Sequence, residues 1–533
     1  MSTANSPVPK PSIPAAKTPL KTVQALTLQL LRRMKGKWAA PTLPFVARQV
    51  CETYLSEAHQ SHQAKCRRIL QTRLILNPAQ LQQFFQTSLG DLLVTWFARF
   101  MHPPAPHPPT PALKELFIQL ATEPEGISLL DLWRRSPKQF QFNLEQILQT
   151  ARQVEALFAA TDTLVSIIRE LAIAEAHTQP PLPDHSLDLQ QPGPWPVTQT
   201  TWEWPLNPGE QPIPILCYQP RSLPPGPIPL LIQSHGLAAN PEDFAPHAHH
   251  LASYGYVVVA PQHPGSSSDQ VRRLLAGEAN EVFEQTEFLA RPRTISRLID
   301  RLTTHNTALF EGRLNTDCIG VMGNSFGAYT ALALAGATIQ FTELETSCDL
   351  ANSHPNISLL LQCQALQLPR TLHSAYDSRV GAIIAIDTVG SAIFGSMGLH
   401  PIQIPVLLIA GSHDLTAPLA CEQIRLFQWL TTPIHYLALM QGKTHLHNPG
   451  DLLNTLNLHL KLHPHPLHIP HATPFVTYTA ALSLAFLNQH LGINTPHFPP
   501  FNARYVSTLS QSPYDIWLLS QASQAQLNHQ ISL

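Results

Sequence analysis

Charge is what this sequence has least of. Lys, Arg, Asp and Glu make up 13% of the 533 residues, where about a quarter is usual in soluble proteins. The net charge of −2 leaves no basic surplus for nucleic acid, which is excluded as an expected partner. Seven cysteines occur without CxxC spacing, so no zinc site is indicated and no metal or cofactor is expected. No run of 18 apolar residues exists, and none reads as a membrane-spanning helix. Carboxylates are missing from residues 1–51, which hold eight Lys or Arg; Glu52 is the first acid.

That basic leader is expected to be a disordered segment over residues 1–40. Within it, residues 21–38, with "VQALTLQLLRRMKGKW", have the makings of a basic amphipathic helix for peripheral membrane contact. Its apolar part carries Gln24, Thr27 and Gln29 and does not read as a secretory signal. The cytoplasm is the favoured location, with export or membrane association as alternatives.

What the chain does have is 44% hydrophobic residues and 51 prolines. Residues 41–176 read as an all-α unit. Asn77 and Pro78 form a helix start in "NPAQLQQFFQ", and residues 89, 92, 93, 96, 97 and 100 follow the helical period. A helix is predicted near 143–173, and "MHPPAPHPPTPAL" (101–113) reads as a proline-rich connector. A second proline-rich linker spans 177–196. From 197 to 495 the texture changes. Short apolar, β-branched runs at 228–235, 256–262, 317–323, 380–387, 404–411 and 434–441 alternate with helical stretches. This predicts an α/β unit with a mostly parallel sheet covered by helices on both faces, led by an antiparallel hairpin. Residues 337–379 read as an insertion, a candidate lid, and 496–533 as a C-terminal extension. A second long insert covers 266–292. The histidine-rich stretch 463–474 is broken by prolines and reads as a stiffened loop rather than a metal site.

In such sheets, sites form at the carboxyl ends of strands. "GVMGNSFGAYTALALAG" places Ser325 between a strand and a helix, with Gly323 and Gly327 on either side. That is the context of a nucleophile elbow. A serine hydroxyl needs a base, and His445 in "MQGKTHLHNPG" follows the last strand; His447 is its competitor. The acid is Asp414 in "GSHDL" by preference, or Asp387 in "AIIAIDTVG". Oxyanion donors are expected from the backbone N–H groups of Phe326 and Leu237, with His235 and Gly236 supporting the latter in "QSHGLAAN".

The motifs "SHGL", "APQHPGS", "GNSFGAY", "AGSHD" and "GKTH" resemble the α/β-hydrolase superfamily, closest to the platelet-activating-factor acetylhydrolase and dienelactone hydrolase branches. "LNPAQLQQFFQTSLGDLL", "EPEGISLLDLWRRSP" and "EFLARPRTISRLID" resemble a bacterial group that fuses a helical domain of unknown function to such a hydrolase. The resemblance covers about residues 45–530. It implies Ser325 as nucleophile, His445 as base, and Leu237 and Phe326 as oxyanion donors. On the acid it divides: the acetylhydrolase pattern fits Asp387, the dienelactone hydrolase pattern Asp414. Asn324 departs from the His or Gln common before the serine. The segment "C…LLLQC" (Cys348, Cys363) resembles a paired-cysteine segment of the group. The implied activity is hydrolysis of a small-molecule or lipid ester. The alternative is a catalytically weak hydrolase-fold scaffold whose helical domain binds a partner or membrane surface.

Overall fold

The computed structural model describes residues 67, 73–102, 109–124, 126–128, 131–132, 140–206, 209–349, 356–445, 459–461, 472–492 and 497–532. The basic leader, its segment 21–38, His447 and the histidine-rich stretch to residue 471 lie outside them.

The chain enters through β1 (Arg73–Ile75) and three helices, α1 (Pro78–Phe84), α2 (Ser88–Ala98) and α3 (Pro109–Ala121). Asn77 caps α1, its Oδ1 accepting from Ala79 N at 2.9 Å, and Pro78 takes the first helical position, where no N–H is needed. Thr87 caps α2 in the same way, accepting from Gly90 N at 2.9 Å. Phe85, Val94, Leu113, Leu116 and Leu120 form a small core of their own. The stretch 101–113 is not the plain connector its prolines predict. Met101–His102 (β2) pairs with Gln141–Phe142 (β3), and Pro109 opens α3. Proline is tolerated there because first-turn N–H groups have no helical acceptor.

The main sheet has nine strands: β4 (Val197–Trp204), β5 (Ile213–Pro220), β6 (Ile228–Ser234), β7 (Val257–Pro261), β8 (Leu314–Asn324), β9 (Val380–Ile386), β10 (Val406–Gly411), β11 (His435–Met440) and, past the short β12 (His459–Lys461), β13 (Ile516–Ser520). Their spatial order is β13-β11-β10-β9-β8-β6-β7-β5-β4. The run from β7 through β11 is parallel, and β4, β5 and β13 are antiparallel. The central strands are buried along their length because helices cover both faces, which is why they read as unbroken apolar runs rather than alternating ones. β6 has β7 on one side and β8 on the other. The loops leaving β6 and β8 therefore part, and a crevice opens at their carboxyl ends.

Two boundaries differ from the sequence reading. The long helix α4 (Leu144–Thr178), expected in the helical unit, lies along the sheet edge: Leu164, Ile168 and Leu171 join the main core. The segment 496–533, expected as an extension, supplies the edge strand β13. Glu175 of α4 ties to it, its Oε2 accepting from Ser523 Oγ at 2.6 Å and Ser520 N at 3.2 Å. "IWLLS" is too short among Ser and Gln to announce a strand. Its pairing with β11 makes it one.

Candidate active site

β8 ends at Asn324, and the next helix, α5 by order among those at the site, runs Phe326–Leu334. Ser325 sits between them with φ 55° and ψ −114°, a conformation costly for any residue but glycine. The turn is held from both sides. A Cβ on Gly323 would strike the Gly327 carbonyl, and one on Gly327 would strike the Ser234 carbonyl, so both positions require glycine. Ser325 N donates to Ile386 O at 2.8 Å.

Two further strand ends meet the serine. His445, beyond β11, brings Nε2 to 3.0 Å from Ser325 Oγ. Its Nδ1 donates to Asp414 Oδ2 at 2.7 Å. Asp414, beyond β10, is itself fixed: its Oδ1 accepts from Thr416 N and Ala417 N, both at 2.8 Å. Burial works against a charged ring at His445, but the Asp414 carboxylate and its hydrogen bond, with Asp387 further back, outweigh it and raise the imidazole above its ordinary pKa. The arrangement can draw a proton from the Ser325 hydroxyl and hold the resulting imidazolium.

Asp387, the other aspartate singled out in the sequence, has a different partner. It is fully buried with φ 46°, and its Oδ2 pairs with the buried Lys443 ammonium. Asn324 Nδ2 donates to the same oxygen at 3.3 Å, which gives the residue before the serine a use of its own. Burial raises Asp387, and the Lys443 charge pulls it part of the way back. Asp387, Asp414 and His445 bring ligand-type atoms within 4.8 Å of one another, yet the Lys443 ammonium already answers the Asp387 charge. Lys443 lies two residues before His445 in "GKTH", where nothing local marks it as buried.

Phe326 opens its helix, so its N–H has no intrahelical acceptor. The turn after β6 passes beside it. A Cβ built on Gly236 would lie 3.5 Å from Ser325 Cβ, an ordinary contact, so crowding alone does not demand glycine there. His235 is buried and neutral: burial first, then the Arg291 charge, lower it to about 3. Its Nε2 accepts from His263 N at 3.0 Å and its Nδ1 donates to Gly236 O at 2.8 Å, which fixes the tautomer. Arg291 is fully buried and donates to the carbonyls of His235 and Gly236. It stands inside "EFLARPRTISRLID", where no local signal marks it as buried or functional.

A cavity of about 100 Å³ lies further along the nucleophile's helix, lined by Phe288, Tyr329, Ala333, Ile339 and Leu372 among others. Ser325, His445 and Leu237 do not line it. The insertion 337–379 is anchored nearby. Cys348 and Cys363 are joined by a disulfide, and buried Glu422 accepts from Asn356 Nδ2, Ser358 Oγ and Gln362 Nε2, each at 2.7 Å. Leu359 and Leu361 of this segment are packed in the main core.

Two family models match the chain. One, described as alpha/beta hydrolase of unknown function (DUF1400), matches residues 46–143, the region of the first helices. The other, described as chlorophyllase, matches residues 186–351, from the linker through the serine and its helix. Both are hydrolase families of the kind the motifs resemble; neither is specific to the platelet-activating-factor acetylhydrolases. No curated protein matches the chain.

Proposed function

We propose that the chain, whose family matches are to α/β-hydrolases, is a serine-dependent carboxylic ester hydrolase working through an acyl-enzyme. One observation carries the reading: a single imidazole, His445, lies 3.0 Å from Ser325 Oγ and 2.7 Å from Asp414 Oδ2. In this mechanism Ser325 Oγ attacks the ester carbonyl while His445 Nε2 takes its proton. The Leu237 and Phe326 N–H groups receive the oxyanion. Collapse of the tetrahedral intermediate expels the alcohol, which takes the proton from His445. Water, deprotonated by the same ring, then attacks the acyl group and releases the acid and Ser325. Asp414 orients the ring and stabilises its charged form. The resemblance of the motifs to acyl-ester hydrolases favours a short-chain or lipid acyl ester as the substrate. The name of the matched family adds chlorophyll to the substrates to be tried.

The test is direct. The purified protein and its Ser325→Ala form are exposed to a fluorophosphonate probe and to nitrophenyl esters of rising chain length, with chlorophyll alongside. Labelling and turnover in the parent alone are expected, and the chain-length optimum sizes the acyl site. A folded parent that neither labels nor turns over any ester ends this reading.

A further inference from the structure

Building on the serine hydrolase reading, we propose that Arg291 is the positioning residue of the oxyanion hole, one buried cation that sets both backbone donors. It is fully buried in the helix Glu287–Phe310. Its Nη1 donates to His235 O at 2.7 Å and its Nη2 to Gly236 O at 3.2 Å. The Gly236 carbonyl and the Leu237 N–H are opposite ends of one planar peptide. Gripping the oxygen from behind therefore aims the N–H forward, and the turn runs beside Ser325. A positive charge at the carbonyl end also polarises that peptide in the sense that favours an anion at the N–H end.

The second donor is held by the same side chain. Arg291 lies 4.3 Å from the centroid of the Phe326 ring, a cation–π contact inside a desolvated site. That ring is also wedged against Phe283, Phe288 and Tyr329. The N–H that opens the helix belongs to the residue so clamped.

Arg291 is itself braced. Its Nε donates to Ser266 Oγ at 2.9 Å and lies 3.4 Å from the Glu287 carboxylate, which also takes the Ser266 hydroxyl. The helix accommodates a proline at the next position because the Phe288 carbonyl, which the missing Pro292 N–H would have engaged, accepts from Tyr329 Oη at 3.1 Å instead. The Arg-Pro pair thus locks the helix to the nucleophile's helix at the level of the hole.

The experiment compares the parent with Arg291→Lys and with Arg291→Met paired with Glu287→Gln, which leaves no lone charge buried. Each is measured for kcat and KM on the best ester, and for inhibition by a trifluoromethyl ketone, whose serine adduct carries an oxyanion, against its unfluorinated methyl ketone. A misaimed donor is expected to cost about 100-fold in kcat, with inhibition by the trifluoromethyl ketone weakened in parallel. KM and methyl ketone binding hold, and Lys recovers part of the loss. Folded variants whose kcat is unchanged, or whose KM rises and methyl ketone binding weakens along with the loss of kcat, overturn the proposal. Should no Arg291 variant fold, Ser266→Ala, which loosens the brace and keeps the cation, must show a smaller loss with the same split; no split there also overturns it. Failure of the parent to label with fluorophosphonate would instead strike the hydrolase reading itself.

Discussion

Asp387 and Asp414 follow neighbouring strands, and sequence spacing treats them alike. Their partners do not. Asp414 holds the His445 ring at 2.7 Å, whereas Asp387 holds Lys443, and neither member of that pair is more than 1% exposed. Asp414→Asn is expected to lower kcat by roughly 10⁴-fold with folding intact, since it removes the acceptor that sets the tautomer. Asp387→Asn is expected to act mainly on stability. It strands the Lys443 ammonium in the interior, a loss of about 3–5 kcal/mol, while the His445–Asp414 bond stays. Urea unfolding alongside ester kinetics separates the two. If Asp387→Asn removed the activity of a still-folded protein and Asp414→Asn did not, the roles would be reversed. The same contacts fix the pH dependence. The base works as neutral imidazole, and Asp414 favours the charged ring, so His445 titrates above its ordinary value. Activity should therefore rise with pH through a midpoint above about 6.5, and the residual activity of Asp414→Asn should rise through a lower one. A parent midpoint well below 6.5 would contradict the hydrogen-bonded geometry.

At the scale of elements, what the sequence revealed was what is local. The parallel strands announce themselves as apolar β-branched runs because both faces are buried. Ser325 is legible because a strand, two glycines and a helix lie within a dozen residues of it, and His445 and Asp414 because each follows a strand. The residues that stayed hidden meet partners far along the chain. Arg291 reaches His235 across 56 positions, Lys443 reaches Asp387 across 56, and Glu422 reaches Ser358 across 64. Nothing in a local window separates a buried, answered charge from a solvated one. The edge strand β13 was hidden for a related reason: its pairing with β11 is a tertiary fact. Glu422 shows how such contacts tie elements to the site. Its other oxygen accepts from Ser391 N at 2.9 Å and Gly390 N at 3.2 Å, in the loop beyond Asp387. Ser358, which it also holds, donates its N–H to Thr416 O at 2.8 Å, and Thr416 N in turn serves Asp414. The insertion is thereby fastened to the loop that carries the acid.

At the scale of the whole molecule, the first helices are placed where they bear on both inserts. α1 packs on the helix Ser268–Leu275, and α2 on the helical turn Leu359–Gln362. Phe84, Leu89 and Leu92 lie against the hydrolase core. A polar fastening holds the joint. Ser88, opening α2, gives its N–H and its hydroxyl to the Glu281 carboxylate at 2.9 and 2.8 Å, and Gln285 Nε2 donates to the same hydroxyl at 3.1 Å. A carboxylate at a helix N-terminus answers both the free N–H and the helix dipole. The insert 266–292 follows β7 and the insertion 337–379 follows the nucleophile's helix, so the helical unit packs on segments leaving two elements that flank the candidate site. Glu281→Ala should cost about 1.5–3 kcal/mol at this joint, the scale of charged hydrogen bonds, without touching the residues around Ser325. The expected outcome is faster amide exchange in both 266–292 and 358–367, together with a rise in turnover of long-chain esters relative to short ones. Exchange that quickens in the helices alone, with the ester profile unchanged, would mean that the helical unit rests on the inserts without governing them. Faster exchange in the inserts with an unchanged profile would place substrate entry elsewhere on the crevice.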